Sequence, residues 1–159
     1  MTVGLQVDVQ GIALVEAELD RLSRRGHDLT RANKAIGAAL ESVVQQRFDT
    51  KTDPLGHPWA AHSAATIAAY KAQDTNKRGK HSKRGSLLER TRRMRNSLGF
   101  VADASSIVIG FGVPYAIYPE FGTKHAPRRG LLMADPVAGT LSASDVDIIL
   151  STLIKHFSI

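Results

Sequence analysis

The sequence of 159 residues contains no cysteine. This absence excludes disulfide scaffolds, thiol catalysis, zinc ribbons and cysteine-bound iron–sulfur clusters, and it fits assembly in a reducing compartment. The longest apolar runs are far shorter than the roughly 20 residues that a membrane helix requires. Residues 1–10 also lack the basic and apolar regions of a secretory signal. We therefore predict a protein without a membrane partner.

Motifs for catalysis and for cofactor binding are missing as well. His57 and His62 are five residues apart, with a proline and a tryptophan between them, which does not match a helical metal site. The glycines of residues 110–112 are not followed by the third glycine and the helix of a dinucleotide-binding loop. No G-x-S-x-G motif is present. We predict that the chain is not an enzyme and binds no metal or cofactor.

Positive charge is concentrated in one segment. Ten of the 21 Lys and Arg residues lie in residues 71–95 with only two acids, a net charge of +8, whereas the rest of the chain sums to −2. Residues 73–85 include no apolar side chain, so we predict a mobile basic loop there. Two interpretations stay open: a nonspecific contact with the DNA backbone, or a contact with an acidic protein surface. The candidate contact residues are Lys77, Arg78, Lys80, Lys83, Arg84, Arg92, Arg93 and Arg95.

Helical and extended patterns alternate along the chain. Alternating apolar residues predict a short strand over residues 5–9. Apolar residues at helical spacing predict helices over 12–22, with a stop at Gly26, and over 30–48, and the short link between them predicts an antiparallel hairpin. Ser63 is a suitable cap for a further short helix. Trp59 is expected to anchor its loop on the core.

The second half of the chain predicts a β-hairpin with strands over 98–102 and 106–111, followed by an aromatic cluster. We expect Tyr115, Tyr118 and Phe121 to be buried, and residues 131–133 to form a short third strand. A final helix, capped by Ser142 or Ser144, is expected to bury Val146, Ile149, Leu150, Leu153, Ile154 and Phe157. The predicted fold class is α+β, a single domain over residues 1–159 with an N-terminal helical hairpin and a C-terminal helix packed on a small antiparallel sheet.

Several motifs resemble those of the phage virion morphogenesis family, which includes the tail completion proteins of Mu-like phages. Residues 53–59 resemble the family's Asp-Pro-x-Gly-x-x-Trp, and residues 87–98 resemble its Leu-x-x-Thr-Gly-x-Leu-x-x-Ser, with Arg92 where glycine is frequent. A Phe-Gly pair and a Pro-Arg stretch follow in the family's order. The motif residues with an implied structural role are Asp53, Pro54, Gly56, Trp59, Tyr115, Phe121 and Gly122.

This resemblance implies a non-enzymatic virion protein that completes the tail and joins head to tail as a neck ring, often hexameric. The implied partners are further copies of the chain, tail tube or tail terminator proteins and head connector proteins. The basic loop, rather than the resemblance, adds a nonspecific contact with packaged DNA. The implied location is the tail or neck of the virion, after assembly in the host cytoplasm. The alternative, which rests on charge alone, is a nonspecific basic nucleic-acid-binding module that uses residues 77–95.

Overall fold

The structure, a computed structural model, describes residues 28–74, 87–89 and 91–158, together with Asp20 and Gly26, which are both helical. The strand predicted over 5–9, most of the helix predicted over 12–22 and most of the basic loop predicted over 73–85 lie outside the described residues. In chain order, the elements are α1 (Thr30–Thr50), α2 (Ala64–Asp74), α3 (Arg93–Asn96), β1 (Leu98–Ala102), β2 (Ile107–Phe111), a 3-10 turn (Pro114–Ala116), α4 (Ile117–Phe121) and α5 (Ala143–Ser158).

The long helix α1 contacts both strands and α5. Its buried apolar residues recur about every four positions, as the helical period requires, and are Ala32, Ile36, Val44 and Phe48. The helix ends where Lys51 adopts a left-handed φ of 59° and donates its backbone N–H to the carbonyl of Arg47. The helix predicted over 30–48 is thus confirmed and slightly longer.

The two strands form the antiparallel hairpin that the sequence predicts, with Leu98 opposite Phe111. The carboxylate of Asp103 closes the turn, because it accepts hydrogen bonds from the backbone N–H and hydroxyl groups of Ser105 and Ser106. These bonds, the backbone N–H of Ser105 first, stabilise the ionised form and lower the pKa of Asp103 to about 2. Helices with a small antiparallel sheet confirm the α+β class.

A glycine in α1 allows the hairpin to lie directly on the helix. A Cβ atom at Gly37 would lie 2.2 Å from Cδ2 of Phe100, so the Phe100 ring occupies the space that any other side chain would fill. Near the start of α1, the side-chain amide of Asn33 donates a hydrogen bond to the carbonyl of Asp103 at 2.8 Å. The turn of the hairpin is therefore tied to the first turn of α1.

The core lies between α1, the hairpin and the loops that flank them. Its buried members are Val44, Phe48, Trp59, Met94, Leu98, Val113 and Leu131. The rings of Phe48 and Trp59 meet edge to face, with centroids 5.9 Å apart. Trp59 is only 6% exposed, so its predicted burial is confirmed.

The predicted burial of the aromatic cluster is wrong. Tyr115, Tyr118 and Phe121 are between 40% and 59% exposed. They lie on the 3-10 turn and on α4, two short elements that follow Pro114 at the surface. Apolar composition alone predicts burial for these rings, but nothing in the described part of the chain covers the sides that face solvent.

The C-terminal helix α5 begins as predicted, since Oγ of Ser142 accepts the backbone N–H of Asp145 at 3.2 Å. α5 packs along α1, and Ile149 and Leu153 are half-buried. The prediction that all six apolar residues of this helix are buried is wrong, because α1 covers only one side of α5 and leaves the others exposed. The exposed members are Val146, Leu150, Ile154 and Phe157.

Candidate functional site

Residues 130–133, which we call the anchored segment, have no regular secondary structure. The buried carboxylate of Glu120 accepts the backbone N–H of Leu131 at 2.8 Å, of Leu132 at 3.1 Å and of Met133 at 2.8 Å. The Glu120 carboxylate thus satisfies three consecutive backbone N–H groups. In a sheet, these groups would instead donate to carbonyls of neighbouring strands. The strand predicted over 131–133 is therefore wrong, because a carboxylate takes the place of the partner strand.

Side chains also hold the carbonyl groups of the anchored segment. The indole N–H of Trp59 donates to the carbonyl of Gly130 at 3.1 Å, and the guanidinium of Arg47 donates to the carbonyl of Leu131 at 2.7 Å. The other terminal nitrogen of Arg47 contacts both carboxylate oxygens of Asp145, at 2.6 and 2.7 Å. The Arg47 side chain on α1 is therefore bound both to α5 and to the anchored segment.

The loop before Trp59 is built around the Asp53 side chain. Oδ1 of Asp53 accepts the backbone N–H of Leu55 at 2.9 Å and of His57 at 2.8 Å. Gly56 has a φ of 84°, a left-handed conformation that glycine adopts without strain. This loop and Trp59, at its end, contain four of the residues for which the family resemblance implies a structural role, namely Asp53, Pro54, Gly56 and Trp59.

A second loop, after α4, joins this first one. Gly122 has a φ of 77°, and a Cβ atom there would lie 3.0 Å from the backbone nitrogen of Arg128. The guanidinium of Arg129 donates to the carbonyls of Ala60 at 2.9 Å and Ala61 at 3.2 Å. Partial burial lowers the pKa of Arg129. The two loop motifs that the sequence singles out thus form one junction.

The junction carries an exposed apolar surface, which we call the aromatic face. It consists of Tyr115, Ile117, Tyr118 and Phe121, each at least 40% exposed. Clustered exposed apolar residues are typical of surfaces that bind other proteins, and aromatic residues are enriched at the centres of such interfaces. The arrangement favours binding by surface contact.

A groove of about 500 Å³ lies beside the aromatic face. It is lined by His62, Tyr70, Leu88, Thr91, Met94, Tyr115, Pro119 and Arg129. Nε2 of His62 is buried and has no hydrogen-bond partner within the described ranges. Burial, and then the positive charge of Arg129, lower the pKa of His62, so the ring is neutral near pH 7. The groove therefore combines an apolar lining with the guanidinium of Arg129.

Three of the predicted DNA or partner contacts lie within the described residues. Arg92 and Arg93 are exposed at the start of α3, and Arg92 has a left-handed φ of 57°. Arg95, by contrast, forms ion pairs within its own chain. Its guanidinium donates to the carboxylates of Asp49 at 2.6 and 2.8 Å and of Glu89 at 2.9 Å, and these hydrogen bonds raise the pKa of Arg95. The other five contacts lie outside the described residues, namely Lys77, Arg78, Lys80, Lys83 and Arg84.

Within the residues that the structure describes, no three or more histidine and acidic side chains are grouped so that they could hold a metal ion. None of the helices in those same ranges combines the length and the apolar character that a bilayer span needs.

Three residues that hold the anchored segment, namely Arg47, Glu120 and Asp145, are not among the site residues predicted from the sequence. A signal was available for Arg47, because it lies three residues after Val44 and directly before Phe48, on the buried face of α1. A charge on such a face must be paired. Nothing in the local pattern marks Glu120, whose partners lie 11 to 13 residues further along.

Replacing Glu120 with glutamine should lower the free energy of unfolding by about 1–3 kcal/mol. The amide keeps one acceptor oxygen but turns its NH₂ group toward a backbone N–H that then has no acceptor. Urea denaturation of wild type and Glu120→Gln measures the difference. Glu41→Gln, at a half-buried position of α1, is the matched control and should stay within about 0.5 kcal/mol of wild type. Equal losses in both variants would contradict the role of Glu120.

A family model matches residues 11–158 of the chain, and it describes the phage virion morphogenesis family. No curated protein and no solved structure matches the chain. The family match includes both loop motifs, the anchored segment and every helix and strand named above.

Proposed function

From the chain's membership of the phage virion morphogenesis family, which gives it a role in building the virion, we propose a more specific function: it completes the tail and joins head to tail as a homo-oligomeric neck ring. The observation that carries this proposal is the family match over residues 11–158. The neighbours of such a ring are tail tube or tail terminator proteins on one side and head connector proteins on the other.

The aromatic face supports a role in assembly. Its residues lie on short elements that are fixed to the core through Glu120, Trp59 and Arg129, so the surface is preorganised. Apolar contacts of this kind stabilise an interface more than exposed ion pairs, which contribute only about 0–1 kcal/mol each. We therefore assign subunit association to apolar surfaces rather than to the basic segment.

The basic segment is assigned to packaged DNA or to an acidic neighbour. A ring brings the +8 charge of residues 71–95 to equivalent positions in every subunit. A lumen with that charge attracts the phosphate backbone without reading the base sequence. Arg92 and Arg93 have exposed side chains that fit such a contact.

Genetic complementation tests the proposed function. The coding sequence is deleted from the phage genome, and plasmids then supply either wild type or a variant with serine at Lys77, Arg78, Lys80, Lys83 and Arg84. We expect lysates without the protein to contain separate heads and tails in electron micrographs, and wild type to restore complete virions. The serine variant should form rings of wild-type size but fail to restore head–tail joining or DNA retention.

A matched control replaces four exposed cations elsewhere with serine, namely Arg31, Lys34, Lys124 and Lys155. This control should restore infectivity, because it leaves the basic segment intact. Infectious virions formed without the protein would contradict the proposed function. A serine variant that falls to monomers would contradict the assignment of the basic segment and identify it as a contact between subunits.

The charge of residues 71–95 favours a second candidate function, a nonspecific nucleic-acid-binding module. This candidate predicts a monomer that shifts duplex DNA of any sequence in a gel, with an affinity that falls by a log–log slope of about 0.9 per neutralised phosphate as salt rises. Rings of uniform diameter in negative-stain micrographs would favour the neck protein instead.

A further inference from the structure

We propose that neighbouring subunits associate head to tail, with the exposed face of α5 from one copy docked on the aromatic face and groove of the next. This inference rests on the proposed ring and names the two surfaces that would close it. The occupant of each surface is a second copy of this chain.

The first surface is a regular apolar ridge. Val146, Leu150 and Ile154 are spaced four residues apart on α5, and Leu150 and Ile154 are 51% and 64% exposed. A four-residue spacing corresponds to a rise of about 6 Å, so the three side chains form a line of about 12 Å. Their length and spacing are those of a helix that lies in a groove on a partner.

The second surface is the groove beside the aromatic face. Leu88, Met94 and the ring of Tyr115 give it an apolar lining, and its volume of about 500 Å³ accommodates several aliphatic side chains. Tyr118 and Phe121 extend the same apolar surface outside the groove. A ridge of valine, leucine and isoleucine is chemically matched to it.

Polar groups on the two surfaces are complementary. Asp147 is exposed on α5 beside Val146. The groove contains the guanidinium of Arg129 and the buried Nε2 of His62, which has no partner in the part of the chain that the structure describes. A carboxylate from the neighbouring copy would pair with the guanidinium of Arg129.

The two surfaces differ in chemistry, since one has an acidic residue beside an aliphatic ridge and the other has the Arg129 guanidinium beside aromatic rings. Neither complements itself, which disfavours a two-fold contact between identical patches. A contact between two different surfaces repeats from copy to copy and closes into a ring when the rotation allows. The pairing therefore gives each subunit one donor and one acceptor surface.

A mixing experiment with two full-length variants tests the pairing. Tyr118→Asp disables the aromatic face, and Leu150→Asp disables the α5 ridge. Each variant alone should remain a monomer in light scattering, with association weakened about 100-fold or more, because a charge then lies at the centre of the contact. Mixed in equal amounts, they should form a heterodimer and nothing larger, because one intact pair of surfaces remains.

Two more variants sharpen the test. Asp147→Asn should weaken association about tenfold and reduce its dependence on salt. Val108→Asp, at a residue of the hairpin that is also well exposed, is the control and should form wild-type rings. A Val108→Asp variant that is monomeric would place the contact at the hairpin and overturn the proposal.

The remaining outcomes separate this inference from the proposed function. Wild-type rings together with variants that do not form a heterodimer would overturn the head-to-tail pairing and leave the neck ring standing. A Leu150→Asp variant whose monomer melts well below wild type would show that the chain's own residues cover the ridge, which overturns the pairing as well. A wild-type chain that stays monomeric at every concentration would contradict both proposals.

Discussion

Replacing Arg47 with alanine is expected to lower the free energy of unfolding by about 3–5 kcal/mol, because the buried carboxylate of Asp145 then loses its partner. The two side chains are only 7% and 2% exposed, and they form two short hydrogen bonds. The same substitution also removes the donor to the carbonyl of Leu131. Urea denaturation followed by circular dichroism measures the loss.

A double-mutant cycle isolates the ion pair. Asp145→Leu alone and Arg47→Met alone should each be strongly destabilising, because each leaves one buried charge without its counter-charge. Arg47→Met combined with Asp145→Leu should recover most of the loss, since no buried charge remains. If the losses of the single variants simply add in the double variant, the two charges do not depend on each other and this interpretation is wrong.

Replacing Trp59 with alanine is expected to lower the free energy of unfolding by about 3–5 kcal/mol. The indole fills the space beside Phe48, and alanine leaves a cavity that the ring of a neighbour cannot fill without moving. The loop around Asp53 keeps its own hydrogen bonds, so the loss reports the packing of the indole together with its hydrogen bond to the carbonyl of Gly130. Guanidinium denaturation provides the measurement.

Trp59→Phe separates the packing of the indole from its hydrogen bond. Phenylalanine keeps most of the apolar contact but leaves the carbonyl of Gly130 without its donor, so a smaller loss of about 1–3 kcal/mol is expected. An alanine variant that melts at the wild-type temperature would show that Trp59 does not contribute to the core. Phenylalanine and alanine variants of equal stability would assign the whole effect to the hydrogen bond.

The parts of the fold that the sequence predicts well are those with short-range causes. α1 follows from apolar residues at helical spacing, and the hairpin follows from β-branched residues on either side of Asp103. The caps at Ser63 and Ser142 are confirmed because a cap bonds an N–H only three residues away. Each of these features is decided within a few residues of the chain.

The candidate site could not be predicted in the same way, because distant residues decide it. Residues 131–133 have the composition of a buried strand, and the Glu120 side chain determines that they are not one. The aromatic face and the α5 ridge have the composition of core elements. Composition does not tell whether an apolar residue is covered by its own chain, so burial was predicted where the structure shows an exposed surface.

The anchored segment has a consequence for the rate of folding. The hydrogen bonds from Trp59 and Arg47 to its carbonyls span 71 and 84 residues of sequence, and the Arg47–Asp145 pair spans 98. Contacts of such long range require large loops to close before they contribute any stability, which slows folding relative to a chain of the same length with local contacts. α1 and the hairpin can form early from local interactions, whereas the contacts of Arg47 form only after the anchored segment and α5 have reached α1. Substitutions at Arg47 should therefore mainly accelerate unfolding and leave the refolding rate nearly unchanged.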